Sequence, residues 1–150
     1  MNSRQSTLSA TAALVLLGTG ACMVPPEEIS TDPTLTDTLW QLQQIQYNND
    51  TLVEPDAPEN YTIEFMQNGE VGIQADCNRV LGTYTEDGSS ISIELGPSTL
   101  AACPPGSIDT EYLQALEAAA IYFFQEGDLF IDMKFDTGTI QFSAAEEPPM

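Results

Sequence analysis

A length of 150 residues allows one domain with a hydrophobic core, and a hydrophobic content of 42% with 17% charged residues is typical of a globular chain. Lys and Arg number 3 against 23 Asp and Glu, histidine is absent, and the formal net charge is −20 at pH 7. Binding to nucleic acid requires basic residues that neutralise phosphates, so the composition argues against nucleic acid as a partner. The acidic residues suit cations or a basic partner, but a solvated exterior that keeps the protein soluble is the favoured explanation.

The N-terminal segment has the composition of a processing signal. Arg4 supplies a positive charge, a short apolar run follows, and small residues precede Cys22. The run is shorter than the roughly 20 residues that span a bilayer. Small residues that end on a cysteine resemble a bacterial lipobox, although Thr19 stands where Leu is common. We therefore predict a signal peptide over residues 1–21 and lipidation of Cys22, with ordinary cleavage near Ala21 as the alternative.

The segment after Cys22 is rich in proline and acidic residues and poor in apolar ones. This composition predicts a lipid-anchored flexible tether over residues 22–34. Met23 occupies the position where an Asp would resemble an inner-membrane retention signal. The predicted localisation is therefore the cell envelope, in the outer membrane facing the periplasm, with the membrane as a partner through the lipid. The folded domain is placed at residues 35–143, and residues 144–150 are predicted to be a disordered tail.

Apolar and polar side chains alternate in several short segments, which is the pattern of half-buried strands. The predicted strands lie at residues 39–45, 61–65, 71–75, 79–84, 91–95, 122–124, 129–135 and 140–142. Phe135 is the last apolar residue of the alternation in its strand. Turn sequences such as Asn68-Gly69 connect neighbouring strands directly, so the sheet is predicted to be largely antiparallel.

One helix is predicted between the strands. Pro104-Pro105-Gly106 breaks the chain, and Ser107 or Asp109 can cap a first helical turn. Apolar residues then recur at three- and four-residue spacing up to Ala119-Ala120. A single amphipathic helix must bury its apolar face against the sheet.

Several short segments, in the same order along the chain, resemble the META domain family, which includes the HslJ-like proteins. The residues that carry the resemblance include Trp40, Cys77, Asn78, Arg79, Gly82 and Tyr84. The resemblance covers about residues 35–143, with Asp37 where a Gly is common. It implies an α+β fold that is mostly antiparallel β, with a strongly curved sheet or partly open barrel packed against one helix. The domain is often found on bacterial lipoproteins, HslJ-like members are linked to stress and antibiotic tolerance, and the family has no established catalytic residues.

Two cysteines remain in the domain if Cys22 is acylated. The signal peptide would deliver Cys77 and Cys103 to an oxidising compartment, which favours a disulfide. Closing a loop of this length stabilises a fold by roughly 3–4 kcal/mol. Two buried free thiols are the alternative. A catalytic cysteine is disfavoured because the chain has no histidine to activate it.

The sequence indicates no catalytic, metal or cofactor site. Zinc lacks its usual ligands, and Asp128, Asp132 and Asp136 fall in a region predicted as strands rather than in a calcium loop. Arg79 is expected to pair with a nearby acid such as Asp76, or else to contact an anion or a partner. The aromatic residues Trp40, Tyr84, Phe123 and Phe124 are expected to fill the core, with the lining of a ligand cavity as the alternative.

The leading hypothesis is a non-enzymatic lipoprotein of the cell envelope. The chain is expected to be a monomer that contacts another envelope protein and, by its family resemblance, supports stress or antibiotic tolerance. One alternative is a module that binds a lipid or another small apolar ligand. The other is a protease-inhibitor-like barrel, for which the sequence offers no identifiable reactive loop.

Overall fold

A computed structural model describes Gly20 and residues 33–146 of the chain. The predictions for the signal peptide, for Cys22 and for most of the tether lie outside these residues. The elements are β1 (Leu39–Tyr47), β2 (Leu52–Val53), β3 (Tyr61–Phe65), β4 (Glu70–Ala75), β5 (Asn78–Asp87), β6 (Ser90–Ser98), α1 (Asp109–Glu117), β7 (Ala119–Gln125), β8 (Asp128–Met133) and β9 (Gly138–Ala144). Short 3-10 turns precede β3 and β9.

The sheet closes into a barrel of eight antiparallel strands. β1 and β3 to β9 follow one another in order around it, and β9 pairs with β1 from Trp40↔Ala144 to Tyr47↔Gly138. β2 is an additional short strand beside β1. The prediction of an antiparallel sheet with one helix is confirmed, but the partly open barrel is wrong. Gly138 allows the closure, because a side chain there would collide with the Gln46 carbonyl oxygen.

The junction between β6 and β7 is the least paired part of the barrel within the described residues. The two strands share one ladder position, Ser90↔Ile121, beside a hydrogen bond from the Tyr122 N–H to the Ser89 carbonyl oxygen at 2.8 Å. α1 lies between β6 and β7 in the sequence and packs against β6 and β4. Its buried Tyr112 contacts the rings of Tyr61 and Phe142. The helix therefore adds apolar side chains to the barrel core.

Large apolar side chains fill the barrel. The largest side chains that are fully buried are Trp40, Tyr112, Phe65, Phe142, Leu42, Ile45, Ile63, Leu116, Leu129, Ile131, Ile140 and Val71. The Trp40 indole donates to the Leu35 carbonyl oxygen at 3.1 Å, so its polar atom is satisfied inside the core. Its ring stacks on that of Phe124. The strand alternation therefore directs the strand residues of this set inward, and Tyr112 and Leu116 come from α1.

Three local predictions fail at element ends and on the barrel exterior. The helix ends at Glu117, and Ala119 already pairs with Met133 as part of β7. Phe135 lies outside β8, in a turn with φ 61°, and is 95% exposed, because the chain reverses there to enter β9. Phe123 is 40% exposed and stacks on Phe130 rather than filling the core, because the odd-numbered positions of β7 from Ile121 onward face outward.

β9 extends to Ala144, and the Ala145 N–H donates to the Leu39 carbonyl oxygen at 2.8 Å. Strand pairing therefore continues into the segment that was predicted as a tail. The remainder of that segment, residues 147–150, lies outside the described residues.

Candidate functional site

The turn between β4 and β5 carries the cysteine of the family motif. Cys77 forms a disulfide with Cys103, 26 residues further along the chain. Asp76 precedes it with φ 55°, and its N–H donates to the Asn60 carbonyl oxygen at 2.8 Å. The disulfide joins the start of β5 to the segment that leads into α1.

The buried side chain of Asn78 forms hydrogen bonds to the segment that leads into α1. Its side chain is 7% exposed, and its Oδ1 accepts from the Ala101 N–H at 2.8 Å and from Thr99 Oγ1 at 3.1 Å. Its Nδ2 donates to the Ala101 carbonyl oxygen at 3.0 Å and to Cys103 Sγ at 3.4 Å. The buried amide is therefore satisfied at both ends, which fixes the backbone of residues 99–103 beside β5.

Arg79 adds two more bonds to the same segment. Its N–H donates to Thr99 Oγ1 at 2.9 Å, and its carbonyl oxygen accepts from the Thr99 N–H at 3.0 Å. None of the hydrogen bonds found within residues 33–146 uses the Arg79 guanidinium, so the expected pairing with Asp76 is not among them. Arg79 is exposed, and it positions the segment through its backbone.

Gly82 and Tyr84, further along β5, have structural roles. A Cβ on Gly82 would lie 2.5 Å from the Glu94 carbonyl oxygen, so glycine permits the close approach of β6 at a β-bulge. Tyr84 donates its hydroxyl to the Met66 carbonyl oxygen at 3.0 Å, and burial raises its pKa. Trp40 belongs to the core described above. The predicted residues Cys77, Asn78, Arg79 and Cys103 thus form one cluster, while the other motif residues lie outside it.

The cluster supports an exposed loop at residues 98–106. Thr99 to Ala102 are exposed, and Leu100 is 93% exposed. Within the described residues, no hydrogen bond uses the backbone of Leu100 or Ala102. Sequence reasoning did not select this loop as a site. The signal was available, because residues 95–108 carry no charged side chain in a chain of net charge −20.

The main cavities of residues 33–146 open on the outer surface. None of the five is lined by any of the fully buried core side chains. One groove of about 250 Å³ lies between Leu39 and Leu81, with Gly72 and Arg79 among its lining residues. In the part of the chain that the structure describes, no three His, Cys, Asp or Glu residues are arranged to hold a metal ion. No helix in that part is long and apolar enough to cross a membrane.

A sequence model of the META domain matches residues 33–147, more than half of the chain. The chain belongs to the META domain family. This confirms the resemblance found in the Trp40 and Cys77-Asn78-Arg79 segments. It also places Cys77, Cys103, the Asn78 cluster and the exposed loop within the META domain.

Two solved structures share the fold of this META domain. An NMR structure of a protein from Burkholderia xenovorans matches 82% of this chain and 98% of its own, with 21% identity and a TM-score of 0.61. A crystal structure of a DUF4847 family protein from Bacteroides vulgatus matches 76% of this chain and 96% of its own, with 16% identity and a TM-score of 0.56. At these identities the likeness concerns the fold alone. No curated protein matches the chain.

Proposed function

We propose that this META domain protein is a non-enzymatic lipoprotein of the cell envelope that acts by binding another envelope protein. In this proposal Cys22 carries the lipid, and the domain faces the periplasm from the outer membrane. The lipobox-like residues before Cys22 and the proline-rich segment after it support the anchor. A role in stress or antibiotic tolerance follows from the resemblance to HslJ-like proteins.

The observation that carries the binding role is the exposed loop at residues 98–106. A disulfide and the Asn78 side chain hold its backbone, while Leu100 projects into solvent. A loop fixed in this way loses little conformational entropy when it binds, which favours affinity. The absence of charge over residues 95–108 also removes the cost of burying carboxylates in an interface.

The residues of the domain offer little for catalysis. Histidine is absent from the chain, and both cysteines of the domain are joined in the disulfide, so neither is a free thiol nucleophile. Binding rather than reaction is therefore the better account of the exposed loop.

The two alternative functions differ in their support. A lipid or small apolar ligand inside the barrel finds no support, because the cavities found lie outside the fully buried core. The groove beside Leu81 offers such a ligand only an open surface site. A protease-inhibitor-like role is favoured by one specific observation, the fixed and exposed loop around Leu100.

An affinity pull-down from detergent-solubilised envelopes tests the binding role. The bait is the full-length protein, compared with Leu100→Arg and with Leu81→Arg as a matched control. Leu81 is also exposed, at 63%, but lies on the outer face of β5. We expect one partner to be captured by the wild type and by Leu81→Arg, and to be lost with Leu100→Arg. Equal capture by all three proteins would contradict the proposed contact surface.

A further inference from the structure

The hydrogen bonds of residues 99–102 alternate along the backbone. Thr99 and Ala101 are bonded to Arg79 and Asn78, whereas the backbone groups of Leu100 and Ala102 are unused within residues 33–146. The segment therefore has one edge attached to the protein and one edge open to solvent. An edge of this kind can pair with the backbone of another protein, as in β-strand addition.

Leu100 gives this open edge a specific side chain. It is 93% exposed and is flanked by the uncharged Thr99 and Ala101. Serine endopeptidases bind the residue before the scissile bond in a primary pocket, and in chymotrypsin this pocket is a hydrophobic slot. A leucine presented on an open backbone edge matches what such a cleft binds.

We propose that the 98–106 loop binds in the active-site cleft of a serine endopeptidase with an apolar primary pocket and inhibits it. Leu100 occupies the primary pocket, and the Leu100–Ala101 peptide bond lies at the catalytic serine. The partner is thus a protease, and the loop binds as a substrate does.

The residues on both sides of the Leu100–Ala101 bond are attached to the rest of the domain. This attachment explains why the loop would inhibit the protease instead of being digested by it. Attack of the serine hydroxyl on the Leu100 carbonyl carbon breaks the Leu100–Ala101 bond, gives an ester on Leu100, and transfers the hydroxyl proton to the amine of Ala101. Asn78 and the disulfide at Cys103 hold the Ala101 side, while Arg79 and Asn78 hold Thr99.

The new amine therefore stays beside the ester instead of diffusing away. Its attack on the ester restores the peptide bond and returns the proton to the serine. Two groups that are held in a reactive geometry can have an effective concentration of about 10⁵ M or more. Re-formation of the peptide bond therefore competes with hydrolysis of the ester by water.

This inference rests on the proposed function only in using the same loop as the contact surface. It does not depend on the lipid at Cys22, so full-length protein with Cys22→Ala serves for the assays. The probes are chymotrypsin, pancreatic elastase and subtilisin, each with a chromogenic peptide substrate. Trypsin, whose primary pocket holds an Asp, is the specificity control.

We expect stoichiometric inhibition of at least one of the three probes, with an inhibition constant of roughly 1 µM or lower. Leu100→Arg should raise that constant at least about 30-fold, the effect of losing a central interface residue, and should confer inhibition of trypsin. Leu81→Arg, which makes the same change at another exposed leucine, should leave all constants unchanged. Asn78→Ala should convert the protein into a substrate that is cleaved between Leu100 and Ala101.

Three results would overturn the inference: no inhibition of any probe, inhibition unaffected by Leu100→Arg, or rapid cleavage of the wild-type loop. The pull-down separates this failure from failure of the proposed function. Capture that depends on Leu100, without inhibition of any probe, would leave the contact surface in place and exclude this class of partner.

Discussion

The side chain of Asn78 bonds to both backbone groups of Ala101. Oδ1 accepts from the Ala101 N–H at 2.8 Å, and Nδ2 donates to the Ala101 carbonyl oxygen at 3.0 Å. A side-chain amide has the same donor and acceptor as a peptide group, so Asn78 takes the place of a neighbouring strand. Aspartate lacks the donor and alanine lacks both groups, so neither residue could make both bonds at this position.

Replacing Asn78 by alanine should destabilise the domain by roughly 1–3 kcal/mol, because buried bonding groups of the loop lose their partners. Amide exchange at Ala101 should also become faster. Urea denaturation and hydrogen exchange measure the two effects. Gln74→Ala is the matched control, since Gln74 on β4 carries an amide opposite Arg79 and makes one long hydrogen bond at 3.4 Å. Equal destabilisation by both substitutions would show that the Asn78 bonds contribute little.

The sequence indicated part of this cluster and missed the rest for a physical reason. Cys77, Asn78 and Arg79 are consecutive, and the rarity of cysteine and of basic residues in this composition makes the run noticeable. Thr99 and Ala101 are 20 or more residues away in the sequence. They bond through a hydroxyl and through backbone groups, which are common to many residue types. Residue types do not encode such bonds, so only the three-dimensional arrangement identifies the loop.

Removal of the disulfide should destabilise the domain by about 3.5 kcal/mol, the loop-closure value for the 26-residue separation of Cys77 and Cys103. The double variant Cys77→Ala/Cys103→Ala and the reduced wild type should show similar urea midpoints, both below that of the oxidised protein. The Cys22→Ala variant should show the same fall in urea midpoint on reduction as the wild type, because it keeps the disulfide. Alkylation of two domain thiols in the native, unreduced protein would contradict the disulfide.

The alternation of apolar and polar residues predicts the direction of side chains correctly inside the strands, but not at their ends. Tyr61, Ile63 and Phe65 face inward as the two-residue period requires. The same period carried to Phe135 fails, because a left-handed backbone conformation at that residue turns the chain away from the sheet. Closure of the barrel was also missed, since pairing of β1 with β9 joins segments about 100 residues apart and local pattern carries no information about it.

Gly82→Ala should destabilise the domain by roughly 1–3 kcal/mol through overpacking. The new Cβ would meet the Glu94 carbonyl oxygen at 2.5 Å, and a backbone atom cannot move aside without disturbing the β5–β6 pairing. Gly72→Ala is the control on the neighbouring strand, because its Cβ would lie 3.5 Å from the flexible end of Met66. We expect that variant to be neutral or slightly stabilised in thermal unfolding. A thermal unfolding midpoint of Gly82→Ala equal to that of the wild type would contradict the close approach of the Glu94 carbonyl oxygen to Gly82.

Lipidation at Cys22 predicts that a fatty-acid analogue labels the wild-type protein and that Cys22→Ala takes up only background label. The variant should also move from the membrane to the soluble fraction, because the lipid is the proposed anchor and a chain without it has lost its membrane contact. Cys77→Ala/Cys103→Ala controls for nonspecific acylation of cysteine and should keep full labelling. Equal labelling of wild type and Cys22→Ala would remove the anchor from the proposed function.

The hydroxyl of Tyr112 should make the stability of the domain sensitive to alkaline pH. This hydroxyl is buried without a hydrogen-bond partner among the described residues, and burial raises its pKa well above the ordinary 10.0. Below pH 10 both the folded and the unfolded chain keep the proton, so the residue contributes no pH dependence. Above it the unfolded chain loses the proton first, and the free energy of unfolding should fall by up to about 1.4 kcal/mol per pH unit.

Tyr112→Phe separates this effect from other alkaline titrations. At pH 7 the variant should be as stable as the wild type or more stable, because it removes an unsatisfied polar group whose burial costs about 1–3 kcal/mol. Between pH 10 and 11 its free energy of unfolding should fall less steeply. Some dependence remains, since burial also raises the pKa values of Tyr47, Tyr84 and Tyr122. Urea denaturation across this pH range measures both slopes, and identical slopes for the two proteins would show that the Tyr112 hydroxyl reaches solvent or a partner in the folded state.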